Sequence, residues 1–228
     1  MNTICRSTTD RRYHRQIGSI PGKIIAIPTM DRKGDVCMEM NMEVNKKIAK
    51  AAAAVFDGEW KVNRNYNPDK SKAVDVLYCK NSPQEGFVSY TSVGIYAVEC
   101  GWTIDGKRLR AEVMAISNDE DSKLEDMLTS IAFTVMDTKQ CYPGMIIRDI
   151  VAHYMNDSDI RHVMLTDNLL WDDIEDVELE DMRVTWLMMV PITESEYEYA
   201  MEHGPKILEE RFFEEEIDLA DLYRKPVV

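Results

Sequence analysis

The sequence lacks the patterns that mark most reactive or metal-binding sites. Its five cysteines, Cys5, Cys37, Cys79, Cys100 and Cys141, are scattered, and no pair shows the C-x-x-C spacing of a zinc or redox site. Their odd number and wide gaps also argue against a disulfide framework. The four histidines show no metal-ligand spacing, and no G-x-S-x-G, H-E-x-x-H or Walker pattern occurs. The sequence therefore predicts no catalytic residue, no metal and no cofactor.

Long apolar runs and positive charge are also scarce. No run of about 18 apolar residues is present, as a membrane-spanning helix would require, and Met1 to Arg15 lacks the apolar core of a secretory signal. The sequence thus predicts a cytoplasmic protein. With 27 Lys and Arg against 41 Asp and Glu, the net charge is −14. This balance disfavours nucleic acid and anionic membranes as partners, and it favours rapid capture of a basic protein.

The acidic residues are concentrated near the C-terminus. The segment from Asp172 to Asp181 contains seven of them, interrupted by Ile174, Val177 and Leu179. Two interpretations remain open: a solvated loop or edge strand whose charge prevents aggregation, or a face complementary to a basic partner. The candidate partner-binding residues are Asp172, Asp173, Glu175, Asp176, Glu178, Glu180 and Asp181.

The clearest structural landmark lies directly after this acidic segment. Trp186 to Val190 is a run of five apolar residues, typical of a strand buried on both faces. Pro191, which has no backbone N–H, is predicted to end the strand. Thr193 and Glu196 have the spacing of a capping box, so a helix is expected to begin there.

The rest of the chain predicts an α/β protein of the α+β type, with a mixed, mostly antiparallel sheet flanked by helices. Val44 to Phe56 is rich in alanine and predicts a helix, and Ser122 with Glu125 predicts the capped start of another. The polar stretch Asn63 to Lys72 is interpreted as a loop. Further strands are expected at Ala73 to Cys79, Phe87 to Val98, Leu109 to Ile116 and Met145 to Ile150.

Two chemical interpretations remain open beside these elements. Arg110 and Glu112 lie two residues apart on one predicted strand face, where they are expected to form a cross-strand pair. A hydrolase that uses Cys141 or Cys100 with a histidine is the enzymatic alternative, and a test of thiol reactivity would distinguish it.

The C-terminal motifs resemble the suppressor of fused family. The chain reads V-T-W-L-M-M-V-P-I-T-E-S-E-Y, then H-G-P-K-I-L, and ends I-D-L-A-D-L-Y-R-K-P-V-V. The family has a tryptophan strand running into P-I-[ST]-E-x-E, a helix ending in glycine, an acidic helix and an I-D-x-x-D-x-x-R segment. Shorter similar blocks occur in the same order: V-D-V-L-Y, T-S-V-G, R-A-E-V-M, Y-P-G-M-I-I and H-V-M-L-T. The resemblance covers roughly residues 45–228.

The resemblance implies a mixed α/β domain that acts by binding proteins. A chain of this length, without the long C-terminal extension of the animal members, is similar to the bacterial branch, many of whose members are regarded as immunity proteins against polymorphic toxins. The expected function is thus occlusion of a cognate toxin, and the expected partner is a basic toxin domain. The binding domain is expected at residues 41–228, after an N-terminal extension at 1–40. The alternative is an intracellular adaptor that sequesters a regulatory protein. The oligomeric state is left open.

Overall fold

The strands of the described residues form one mixed sheet of ten strands in order β2-β3-β4-β6-β10-β8-β7, with β1, β5 and β9 attached beside this path. The computed structural model describes residues 41–118 and 123–228, together with the backbone of Ile25–Ala26. Neighbouring strands along the path are antiparallel except for the central pair β6 and β10, which is parallel. The predicted fold class is confirmed. The division of the chain at residue 41 stays a prediction.

The strands and helices have the following bounds. The strands are β1 Ile25–Ala26, β2 Trp60–Tyr66, β3 Ala73–Lys80, β4 Val88–Val93, β5 Trp102–Ile104, β6 Lys107–Ser117, β7 Ile146–Ile147, β8 Ile160–Asp167, β9 Val177–Glu178 and β10 Met182–Thr193. The helices are α1 Met42–Phe56, α2 Leu124–Thr138, α3 Ile150–Tyr154, α4 Glu194–His203 and α5 Pro205–Glu214. A short 3-10 helix, Ile95–Ala97, follows β4.

Both faces of the sheet are covered by helices. On one face α2 and α3 pack over residues such as Val113, Val163 and Leu187. On the other face α1, α4 and α5 pack over the residues that follow these in the strands, Met114, Met164 and Met188. Because successive side chains of a strand point to opposite faces, a central strand between two helical layers must be apolar without interruption. The prediction that Trp186 to Val190 is a strand buried on both faces is confirmed.

Pro191 does not end β10 as the sequence predicted. The strand continues to Thr193, and Pro191 lies opposite Val163 of β8. The pairing of β10 with β6, in contrast, stops at Met188. A proline is tolerated here because β10 has a sheet neighbour on one side only beyond Met188. The predicted capping box is confirmed: the Thr193 side chain accepts from the N–H of Glu196, and the Glu196 carboxylate accepts from the N–H of Thr193.

The polar stretch at Asn63 to Lys72 is only partly a loop, because its first four residues belong to β2. Six of the seven β2 side chains are exposed, and Arg64 interrupts the alternation of Trp60, Val62 and Tyr66 by which a strand would be recognised in the sequence. The predicted helix Val44 to Phe56 corresponds to α1, which begins two residues earlier after the capping residue Asn41. The predicted cap Ser122 lies outside the described residues, and α2 begins at Leu124.

Glu112 is fully buried in β6 and does not pair with Arg110, contrary to the prediction. Its carboxylate accepts hydrogen bonds from the Ser92 hydroxyl and from the backbone N–H groups of Gly94, Ile95 and Tyr96. Arg110 instead contacts Glu99, with 3.3 Å between Nη2 and Oε1. Burial raises the pKa of Glu112 to about 7, although these four hydrogen bonds oppose the rise. Glu112 therefore holds the turn between β4 and the 3-10 helix in place.

Across the described parts of the chain, no helix combines the length and the apolar character that crossing a membrane requires.

Candidate partner-binding surface

The acidic segment, defined here as residues 171–181, crosses the face of the sheet covered by α1. Trp171 is buried at its start, and its ring centroid lies 5.2 Å from that of Phe56 at the end of α1. Asn168 shapes the entry to the segment, because its side-chain oxygen accepts from the N–H of Trp171 while its amide donates to the Trp171 carbonyl. The entry point of the acidic segment is thus fixed by a buried aromatic pair and a side-chain turn.

The apolar residues that interrupt the acidic segment attach it to the core. Ile174, Val177 and Leu179 are half-buried and pack against the core beneath α1. Val177–Glu178 forms β9, which pairs with the first residues of β10. The indole N–H of Trp186 donates to the Glu175 carbonyl over 3.0 Å. These contacts hold the backbone against the sheet and leave the intervening carboxylates directed outward.

Three of the seven acidic residues are neutralised by cations at the ends of β6 and β10. Glu178 binds both Lys107, at 2.7 Å between Nζ and Oε2, and Arg183. Asp181 pairs with Arg108, and Asp176 lies 3.9 Å from Arg183. These ion pairs are partly to largely exposed to solvent, so each contributes little to the stability of the fold. Their main effect is to cancel the charge of this part of the segment.

The other four acidic residues form what we call the open acidic face. Its members are Asp172, Asp173, Glu175 and Glu180. All four are exposed, and within residues 41–118 and 123–228 none has a cationic partner. Four uncompensated carboxylates on a backbone fixed by Trp171 and Trp186 produce a preorganised region of negative potential.

Further carboxylates surround Lys206 near the same end of the molecule. Asp167 ends β8, and Glu209 lies on α5. Burial raises the pKa of both carboxyls, and the charge of Asp167 raises that of Glu209 further, while Lys206 lowers both. Asp167 and Glu209 therefore both lie within electrostatic reach of Lys206.

The sequence did not indicate which carboxylates would be paired. Lys107 and Arg108 follow the Asp105-Gly106 turn, more than 60 residues before the acidic segment. They reach it only because β6 and β10 are parallel neighbours, with Arg108 opposite Met182. The turn and the basic dipeptide are visible in the sequence, but the pairing of the two strands is not.

The two candidate thiols, Cys100 and Cys141, have the wrong environment for a nucleophile. Cys141 is buried and Cys100 is half-buried, and burial raises the pKa of both. A raised pKa disfavours the thiolate, which is the reactive form. The buried His162 is fully engaged, since its Nδ1 accepts from the Asp149 N–H at 2.9 Å and its Nε2 lies 3.0 Å from a Glu194 oxygen. This geometry gives the hydrolase alternative no support.

Comparison with known proteins identifies the family. The profile of the suppressor of fused protein family (SUFU) matches residues 70–225. The chain is 31% identical over 186 residues to "Immunity protein YqcF" of Bacillus subtilis (strain 168), which covers 81% of this chain and 97% of that protein. The chain belongs to the suppressor of fused family. The resemblance of the C-terminal motifs is thereby confirmed, and the family is one of protein-binding domains.

Solved structures of the family share the fold at low sequence identity. A suppressor of fused homologue from Neisseria gonorrhoeae FA 1090 aligns with a TM-score of 0.66 at 20% identity, covering 82% of this chain and 98% of that one. The Sufu–Fu complex aligns with a TM-score of 0.58 at 11% identity, covering 81% and 92%. Drosophila Suppressor of Fused aligns at 0.53 and 10% identity, and there this chain matches about half of the longer protein (51%).

The two C-terminal motifs of the suppressor of fused family meet at one buried ion pair. Glu196, from P-I-T-E-S-E, accepts two hydrogen bonds from Arg224 of the I-D-L-A-D-L-Y-R segment, at 2.6 and 2.9 Å. The same Arg224 donates to the Pro191 carbonyl at 2.8 Å, and its guanidinium lies over the Phe212 ring. The Glu196 carboxylate also accepts from the N–H of Thr193. The motif that identifies the family therefore fastens the C-terminal segment to the sheet.

Proposed function

We propose that this protein is an immunity protein that binds a basic toxin domain through the open acidic face and blocks it sterically. The observation that carries the proposal is a set of four exposed carboxylates, without a cationic partner among the described residues, on a backbone that the core fixes. The name of the relative that is 31% identical over most of both chains supports the immunity role. In this proposal residues 41–228 are the binding domain, residues 1–40 are an extension, and binding takes place in the cytoplasm without catalysis.

Electrostatics explains why the acidic residues would suit this role. Toxins that act on nucleic acids carry basic clefts, since phosphate contacts require Lys and Arg. A carboxylate face opposite such a cleft accelerates association, by roughly tenfold to a thousandfold at low salt. It also occupies the surface that the substrate needs. The three acids already paired with Lys107, Arg108 and Arg183 would contribute less, because their charge is already compensated.

The experiment compares two charge-reversal variants with the same net charge. In the first, Asp172, Asp173, Glu175 and Glu180 become Lys. In the control, four exposed acids elsewhere, Glu59, Glu85, Asp159 and Glu198, become Lys. Each replacement adds two positive charges, so both variants move from −14 to −6.

The readout is the association rate with the toxin encoded beside this gene, measured by stopped flow at several salt concentrations. We expect the first variant to associate more than about tenfold more slowly than the control at low salt, and the difference to shrink as salt screens the charges. Equal rates for the two variants would remove the open acidic face from the interface. No binding of the wild type at low salt would refute the immunity role.

The gene neighbourhood distinguishes the adaptor alternative. A regulatory protein captured in place of a toxin would fit the same acidic face, and the identity of a co-purifying partner also separates the two functions.

A further inference from the structure

The strand β2 is an open edge of the sheet. Among the described residues it pairs with β3 alone, through seven registered positions from Trp60 opposite Cys79 to Tyr66 opposite Ala73. An edge strand presents a row of backbone N–H and C=O groups that can accept another strand. At seven residues β2 is long enough to act as such a template, whereas β7 at the other end of the path has two.

The side chains of β2 leave this edge accessible and partly apolar. Trp60, Val62 and Tyr66 lie on the α1 side of the sheet, since they pair with Cys79, Leu77 and Ala73. They are 49%, 42% and 54% exposed. Native edges are often protected by charged side chains. Strand β2 has two charged side chains, Lys61 and Arg64. The charge of Arg64 is compensated within the chain, because its guanidinium donates to both carboxylate oxygens of Asp75 at 2.7 and 2.9 Å.

We propose that two copies of this chain pair through β2, antiparallel about a two-fold axis at Asn63. This register uses all seven residues of the strand. It places Trp60 opposite Tyr66 of the other copy, an aromatic pair at each end of the interface, and Val62 opposite Arg64. In this register no two residues of like charge lie directly opposite each other, so the strand is complementary to itself.

Charge complementarity on the α2 side of the sheet supports this register. Lys61 is exposed and has no anionic partner within the described residues. In the proposed pairing it lies opposite Asn65 of the other copy. The Asn65 amide donates to Glu125 of α2 at 3.1 Å, and Asn63 donates to the same carboxylate at 3.1 and 3.0 Å. Glu125 holds these two amides but no cation of the described chain, and Lys61 of the second copy supplies one.

One strand from each copy makes a small interface, below about 1,200 Å² in total. We therefore expect a monomer–dimer equilibrium that depends on concentration. This pairing uses the edge strand β2, whereas the open acidic face belongs to the segment that pairs with β10, so the proposal does not depend on the immunity role.

A cysteine substitution tests the register directly. Residues directly opposite in an antiparallel pair have Cα atoms about 4.5–5.5 Å apart, which a disulfide can span. Asn63→Cys places the new thiol of one copy opposite the same thiol of the other copy. Mild oxidation should therefore give a covalent dimer on a non-reducing gel. Asn65→Cys is the matched control, because it too removes an amide that donates to Glu125 but lies opposite Lys61. Dimer formation by both variants alike, or by neither, would overturn the proposed register.

Charge exchange tests the contact in the native sequence. Sedimentation equilibrium should show a dimer that Lys61→Glu weakens by about tenfold or more, because a carboxylate then faces Glu125 across the strands. Glu125→Lys should weaken it similarly, and the double variant K61E/E125K should recover it. Lys47→Glu, at an exposed position of α1, should leave the dimerisation constant unchanged. A monomer at every concentration, or a dimer indifferent to Lys61→Glu, would overturn the proposal.

Discussion

Removal of the Arg224 guanidinium should be among the most destabilising single changes in this protein. Arg224 is 7% and Glu196 0% exposed as side chains, so both charges are out of water and depend on each other. Breaking a buried ion pair by removing one partner costs roughly 3–5 kcal/mol, chiefly because the other charge stays buried and uncompensated. For a chain of this length that corresponds to a fall in Tm of roughly 6–20 °C.

The informative comparison is between Arg224→Met and the double variant E196Q/R224M. Met keeps an apolar side chain over Phe212 but leaves the Glu196 carboxylate with only backbone donors, the N–H groups of Thr193 and Val227. In the double variant neither of these two positions carries a charge, while the Gln oxygen can still accept from the N–H of Thr193. We therefore expect E196Q/R224M to be more stable than Arg224→Met alone.

Urea unfolding followed by circular dichroism gives the free energies of wild type, both single variants and the double variant, and the cycle yields the coupling energy. A coupling above about 1 kcal/mol is expected for contacting charges. If the double variant lost the full sum of the single losses, or if Arg224→Met cost less than about 1 kcal/mol, the reasoning from buried charge would be refuted.

Two further predictions concern Glu112 and the two tryptophans Trp171 and Trp186. Burial raises the pKa of Glu112 from 4.5 to about 7, so the folded state retains this proton more readily than the unfolded chain. The contribution of Glu112 to the free energy of unfolding should then fall by about 3 kcal/mol between pH 4.5 and 7. Urea unfolding at several pH values should show this fall in the wild type but not in Glu112→Gln. Parallel pH profiles for the two proteins would contradict the prediction. Trp186→Phe should cost more than Trp171→Phe, because the Trp186 indole donates to the Glu175 carbonyl whereas the buried Trp171 indole N–H has no partner in the described structure. Urea unfolding of the two variants measures this difference, and a larger loss for Trp171→Phe would show that ring shape outweighs the hydrogen bond.

The elements that local patterns determine were predictable from the sequence. The run Trp186 to Val190 had to be a central strand because only a strand between two layers is apolar without alternation. Thr193 and Glu196 determined the start of α4 because a capping box depends on residues three apart. Strand β2 was missed, and its last four residues were predicted as a loop, because Arg64 interrupts the alternation of Trp60, Val62 and Tyr66. Pro191 was misjudged because its tolerance depends on where the neighbouring β6 stops.

The sequence alone determined that this is a mixed α/β protein of the suppressor of fused family with a dense acidic segment, since composition, caps and motifs are local properties. Only the tertiary structure decided which of the seven acids are open, because the cations that neutralise three of them come from β6 and β10. It likewise decided that Glu112 binds a turn, that Glu196 binds Arg224, and that β2 is a free edge of the described sheet. Each of these depends on which strands become neighbours, and pairing between distant segments leaves no periodic trace in either one.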